Sequence, residues 1–213
     1  MLVPSLHKNK ATVPGKSGTM AFVLALLFLT LAFGSCNLFK QAKAYERFVH
    51  SQFSIHDVKV LSVSGIDVSQ MNKYADLDFG QLISLGIQLV KGDLPSVMEI
   101  TVEGHNTSSE EAAISGMDWL LVMKTDTLAK GVINKPITIP PGKYLNFPVK
   151  VSLNLSRLIK SGSLEQIMNV VLGNNSKEEF RKLGIVFKFK PWYRSGKKVK
   201  KSPVYFNIHP IIH

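Results

Sequence analysis

YLNFPVKVSLNL, Tyr144 to Leu155, alternates without a break. Leu145, Phe147, Val149, Val151, Leu153 and Leu155 fall on one face, and Tyr144, Asn146, Pro148, Lys150, Ser152 and Asn154 on the other. A period of two over that length is the pattern of a half-buried strand, and Pro148, which has no ladder donor, bends the strand or puts it at an edge. The same alternation sends Met98, Ile100 and Val102 inward in Val97 to Asn106, and Met117, Trp119, Leu121 and Met123 inward in Ile114 to Lys124. It recurs in Ile185, Phe187 and Phe189, then in Val204, Phe206 and Ile208, with Arg194-Ser195-Gly196-Lys197 between them as a hairpin turn signal. Many short strands separated by turns predict a mainly β fold of the sandwich kind.

Two stretches depart from that period. Asp76 to Lys91 sets Phe79, Leu82, Ile83, Gly86, Ile87 and Val90 at helical spacing and stops at Gly92, which predicts an amphipathic helix. A strand over Ile83 to Leu89 is the alternative. Leu155 to Gly173 carries Leu158, Ile159, Leu164, Ile167, Met168, Val171 and Leu172, which predict one or two short helices around Ser161-Gly162-Ser163. Both stretches are expected to cap an open end of the sheets.

The only cysteine, Cys36, closes a nearly uncharged apolar run from Met20 to Phe33 that follows Lys8, Lys10 and Lys16. That order of charge and then apolar run is a secretory signal, and the run is short of the ~20 residues a spanning helix needs. Gly34-Ser35-Cys36 resembles a bacterial lipoprotein junction, which implies that residues 1–35 are a signal peptide and that Cys36 is acylated. The alternative is an uncleaved anchor extended by Asn37, Leu38 and Phe39. Each reading places the rest of the chain outside the cytoplasm, in the bacterial envelope, and the lack of an acidic run after Cys36 points to a periplasmic face. Residues 36–52, with Lys40, Lys43, Arg47 and Glu46, read as a polar linker, and residues 53–213 as one domain.

Charge is unevenly placed. The chain holds 26 basic and 15 acidic residues, and Ser176 to His213 alone holds ten basic against two acidic. The excess centres on Lys188, Lys190, Arg194, Lys197, Lys198, Lys200 and Lys201. One reading is a solubilising face that protects an edge strand. The other is a site for an anionic surface, either anionic lipid or an acidic envelope protein. Export from the cytoplasm argues against nucleic acid.

Catalytic signals are lacking. His7, His50, His56, His105, His209 and His213 have no metal-ligand spacing, and no Gly-x-Ser-x-Gly elbow, phosphate-binding glycine loop or His-Glu-x-x-His helix occurs. No cofactor is called for. Glu110-Glu111 reads as a solvated pair in a turn, and Asn106, Asn154 and Asn174 each open an Asn-x-Ser/Thr match that short motifs produce by chance. Trp119 reads as core. Trp192-Tyr193, beside the basic turn, are candidates for interfacial rings.

The stretch VEGHNTSSEEAAISGMDWLLVMKTDTLAKGVINKPITIPPGKYLNFPVKVSLNLSRLI, Val102 to Ile159, resembles the late embryogenesis abundant type 2 domain, also called the water stress and hypersensitive response domain. Shared features are a strand ending at Asn106, the strand and turn of Met117 to Thr127, a strand at Gly131, the Ile137-Thr138-Ile139-Pro140 step and a long alternating strand into a short helix. Asn106-Thr107-Ser108 stands where the family has Asn-Pro-Asn. The resemblance implies an immunoglobulin- or fibronectin III-like β-sandwich with one or two short helical insertions, a lipoprotein form among bacterial members, and no enzymatic activity. The expected role is a membrane-tethered binding or structural module, to which the family resemblance adds stress protection. The alternative is a carrier of lipid or another hydrophobic ligand, held between the sandwich and the helices.

If Cys36 is the acylated residue, Cys36→Ser moves the protein from the membrane to the soluble or precursor fraction, as read by fractionation and acyl labelling. Retention in the membrane with an uncleaved apolar segment selects the anchor instead.

Overall fold

The computed structural model of the chain describes residues 39–71, 76–159, 169–171 and 176–208. Contacts divide the chain into two compact units, Met1–Phe39 and Lys40–His213, and nearly all described residues belong to the second. The expected signal peptide, Cys36, Asn174 and most of the predicted helical stretch after Ile159 lie outside the described residues.

Eleven strands are described: β1 (Gln52–Val63), β2 (Ile66–Asp67), β3 (Pro95–His105), β4 (Ala112–Ile114), β5 (Gly116–Met123), β6 (Asp126–Ile133), β7 (Ile137–Ile139), β8 (Tyr144–Asn154), β9 (Ile185–Ser195), β10 (Lys198–Lys201) and β11 (Phe206–Ile208). They form a four-stranded sheet in the order β2-β1-β3-β8, a five-stranded sheet in which β10-β9-β5-β6 is joined by β11 on β9, and the pair β4-β7. All pairings are antiparallel. Helical segments are α1 over residues 39–50, α2 (Phe79–Lys91), α3 (Ser156–Ile159), a turn over 169–171 and α4 (Ser176–Lys182). The fold is β-rich, with curled sheets and several short helical insertions rather than one or two.

The alternation works as hydrophobic burial requires. Phe147, Val149, Val151, Leu153 and Leu155 are buried, and β8 is an edge strand, which tolerates Pro148. Opposite β8, β3 buries Met98, Ile100 and Val102, while β5 and β9 of the other sheet bury Met117, Trp119, Leu121, Ile185, Phe187 and Phe189. Both sheets feed these side chains into one continuous core.

Three expectations need correction. Val204 was placed inward with Phe206 and Ile208, yet it is half exposed, because the chain leaves β9 there. β10 pairs with Trp192 to Ser195 and β11 with Phe187 to Phe189, so both ladders stop short of Pro191, where a strand donor is missing. Residues 36–52 are not all linker: residues 39–50 are helical, and Phe48 is fully buried. The third correction concerns α2. It starts at a capping box in which Asp78 accepts from the Gln81 amide and the Gln81 side chain accepts from the Asp78 amide, and it ends at Gly92 in the left-handed region. The strand alternative for Ile83 to Leu89 is thereby excluded. Its apolar stripe does not cap the sheets, however. Leu85 and Leu89 pack on the core, whereas Phe79, Leu82, Ile83, Ile87 and Val90 are exposed.

The face assignment makes a sharp expectation. Val151 is fully buried opposite Met98, so Val151→Asp, which buries an unpaired charge, abolishes cooperative unfolding by chemical denaturation. Lys150 faces out opposite Glu99, and Lys150→Gln costs no more than about 1 kcal/mol, the scale of a cross-strand pair. Equal damage from the two would refute the assignment.

Candidate functional site

The basic hairpin and α1 meet at one end of the sheets. Between β9 and β10 the loop is Gly196-Lys197, with φ of 67° at Gly196, the positive dihedral that a type II′ hairpin needs at its first loop position. Tyr193 on β9 packs on Tyr45 of α1, with centroids 4.7 Å apart, and Phe48 lies 5.0 Å from Phe53 and 6.3 Å from Phe189. Arg47 ties the same helix to the turn after β3: one guanidinium nitrogen lies 2.6 Å from the Glu110 carboxylate, and Nε donates to the Glu111 carbonyl at 2.8 Å. Glu110 is therefore an ion-pair partner and not one of two free carboxylates.

That turn is held by Asn106, which is buried. Its Nδ2 donates to the carbonyls of Glu110, Ile139 and Pro140, and its Oδ1 accepts from the amide and hydroxyl of Ser108. Asn154 plays the matching part at the far end of β8, accepting from the amides of Leu94 and Ser156 and donating to Asp93. Both matches to the glycosylation pattern are thus structural pins.

A groove of about 290 Å³ opens between α1 and the hairpin base, lined by Lys40, Ala44, Ile114, Ser115, Tyr193 and Arg194 among others. A second, of about 280 Å³, lies over Arg47, His50 and Asn106. Both are at the α1 end, away from α2.

The seven basic residues do not form one patch. Lys188 and Lys190 alternate with buried Phe187 and Phe189 and so lie on the outer face of the five-stranded sheet. Lys190 sits 5.4 Å from the Tyr205 ring. Lys201 pairs with Asp118 at 2.9 Å and lies 4.5 Å from the Trp192 ring. Trp192 lies against Gly116, where a Cβ would come within 2.9 Å of the ring, so this side chain packs on the sheet. Neither it nor Tyr193 stands out as an interfacial ring. Arg194, Lys197, Lys198 and Lys200 are exposed and have no ion pair among the described residues. Sequence reasoning found these four but missed Lys40, which the docking of α1 brings to the groove beside Arg194. The signal for that was available in Tyr45 and Phe48, aromatic residues too apolar for a solvated stalk.

Among the described residues, no group of three or more His, Cys, Asp or Glu side chains is placed to hold a metal ion, and no helix is long and apolar enough to cross a membrane. No protein-family model and no curated protein matches the chain. Solved structures give faint likenesses. A protein from Archaeoglobus fulgidus is 18% identical over 53% of this chain and 80% of its own, with a TM-score of 0.31. The solution structure of a protein from Arabidopsis thaliana is 12% identical over 76% and 83%, with a TM-score of 0.31. A β-glucuronidase of glycoside hydrolase family 2 is 9% identical over 74% of this chain and 12% of its own, with a TM-score of 0.28. Likenesses this faint carry no argument about the site.

The Asn106 network makes a measurable claim. Asn106→Ala removes the amide donor shared by the Ile139, Pro140 and Glu110 carbonyls, of which Glu110 keeps the Ser108 hydroxyl, and lowers stability by about 2–3 kcal/mol in denaturant melts; Asn106→Asp does more harm, since it turns a carboxylate toward those oxygens. A loss below about 0.5 kcal/mol for both, the ordinary surface scale, would show that the turn holds without this side chain.

Proposed function

We propose that the protein is a membrane-tethered, non-enzymatic envelope lipoprotein. In this reading, one β-sandwich of the immunoglobulin or fibronectin III kind, of the late embryogenesis abundant type 2 class, acts as a binding or structural module. Its hairpin tip rests against anionic lipid headgroups. The sandwich reading is supported by two antiparallel sheets that share one core. The observation that carries the membrane-facing site is the groove common to Lys40 and Arg194. Lys40 follows Cys36 so closely that the intervening chain reaches at most about 14 Å. An acylated Cys36 therefore keeps this end of the domain within reach of the headgroups, along with the unpaired charges of Arg194, Lys197, Lys198 and Lys200. Each basic residue near an anionic surface contributes about 1 kcal/mol, enough in sum to orient a domain that is already tethered.

The test is vesicle flotation of Lys40–His213, the compact unit that carries the core. It binds anionic vesicles in preference to neutral ones at low salt, and the preference fades as the Debye length falls to about 8 Å near physiological ionic strength. Replacing Arg194, Lys197, Lys198 and Lys200 with glutamine removes the preference, while replacing Lys188 and Lys190 on the sheet face leaves it. If the quadruple variant floats with anionic vesicles as well as the parent, the lipid reading is wrong. Increased self-association of that variant would instead mark the hairpin charge as protection of the β10 edge.

A further inference from the structure

The groove between α1 and the hairpin base has a floor and a rim of different chemistry. Ala44, Ala113 and Tyr193 on its floor are half-buried, whereas its charged side chains, Lys40, Glu111 and Arg194, are exposed at the rim. These three come from different elements, and each element is held by its own contact. Lys40 is carried by α1, which the Tyr45–Tyr193 ring pair docks on β9. Arg194 is on β9 opposite Val199 of β10, and Glu111 directly precedes β4, which pairs with β7.

A purely cationic surface leaves the carboxylate of Glu111 unexplained. Arg47 does not neutralise it: its guanidinium pairs with Glu110 at 2.6 Å, and its Nε goes to the main-chain carbonyl of Glu111. Lys40, Glu111 and Arg194 have no ion pair among the described residues. A rim of two cations and one anion, none neutralised by another side chain, is complementary to a ligand that carries both signs of charge. We infer that the groove seats one phosphoethanolamine headgroup of a membrane lipid, with its phosphodiester between Lys40 and Arg194 and its ammonium at Glu111.

The inference rests on the membrane-facing reading of this end and narrows it to one lipid class. Size selects a headgroup over an acyl chain, because about 290 Å³ falls at the foot of the range of about 300–1,000 Å³ that encloses a drug-sized ligand. Arginine suits the phosphodiester, since its planar fork donates two parallel bonds to phosphate oxygens. A primary ammonium has three N–H donors for the carboxylate. A choline headgroup has none, and a glycerol headgroup brings no cation to Glu111.

The experiment is titration of the full chain, labelled at its alanine methyls and held in a neutral sugar detergent, with dihexanoyl lipids of ethanolamine, choline and glycerol headgroups. NMR shifts of Ala44 and Ala113 report the groove floor itself. The ethanolamine lipid binds about threefold tighter than the choline lipid, the scale of one exposed ion pair. Glu111→Gln abolishes that difference and tightens the glycerol lipid, because a charge that repels its phosphate is gone; a loss of fold would do neither. Arg194→Gln weakens all three. Phospholipid copurified with the full chain from expressing cells has a higher ethanolamine-to-glycerol ratio than the bulk membrane, and Glu111→Gln lowers that ratio. The inference is overturned if the choline lipid binds as tightly as the ethanolamine lipid, or if Glu111→Gln leaves their difference in place. Copurification of soluble glycerophosphoethanolamine in place of lipid overturns the lipid source. Replacing Lys197, Lys198 and Lys200 with glutamine leaves the ethanolamine-over-choline difference intact, so the groove and the anionic preference of the tip fail separately.

Discussion

Three phenylalanine rings hold the hairpin end together. Phe53 lies 5.0 Å from Phe48 and 5.1 Å from Phe189, so α1, β1 and β9 share one aromatic cluster. Phe189 in turn meets Phe206 at 5.4 Å, which brings β11 into it. Aromatic pairs at these distances add about 0.5–1.5 kcal/mol each beyond the area they bury. The cluster therefore fixes α1 against both sheets. Without it Tyr45 would not reach Tyr193, Arg47 would not reach Glu110, and the Lys40–Arg194 groove would have no wall.

The two buried faces were legible because they follow from a two-residue period alone. Tyr144 to Leu155 and Met117 to Met123 had to alternate to be half buried, and the structure buries the residues that the period selects, except Leu145, which is partly buried. The edge position of β8 was legible for a similarly local reason, since Pro148 removes one ladder donor. Asn106 was different. Its role depends on carbonyls from Glu110, Ile139 and Pro140, two of them more than thirty positions away, and no local pattern announces such a meeting. The short helix α4 was overlooked, although Ser176-Lys177-Glu178-Glu179 begins as a capped helix does, with acids in the first turn and Arg181 and Lys182 in the last.

The errors at α1 and α2 share a cause. Helical spacing shows that apolar residues lie on one side, but it does not say what that side meets. In α1, two aromatic residues among lysines and arginine were enough to dock a segment that looked like a stalk. In α2, a longer stripe was assigned to the core by default, yet the core takes only Leu85 and Leu89. The strand ends leave α2 little choice of position, because Leu155 donates its amide to the Leu94 carbonyl and the Ser156 hydroxyl donates to the Gly92 carbonyl. These bonds fix the exit of the helix at the end of β8, whichever way its stripe points.

The basic run shows that charge along a sequence and charge on a surface are different quantities. Lys201 is neutralised by Asp118 and lies on an indole, and Lys190 lies near a phenol, so both are occupied in holding the outer sheet face. At the hairpin tip Arg194, Lys197, Lys198 and Lys200 keep unpaired charge, where the ladder register carries the hairpin past Gly116, the first residue of β5. The tip lies at the pole where β1 begins. β1 then runs to Val63 beside Ser96, at the pole where α2 enters β3. The eleven residues of β3, at about 3.3 Å each, separate these poles by about 35 Å. That distance exceeds any useful Debye length, so charge at the tip neither attracts nor repels what meets α2. The two ends of the sheets can be engaged at once without either competing for the other's contacts.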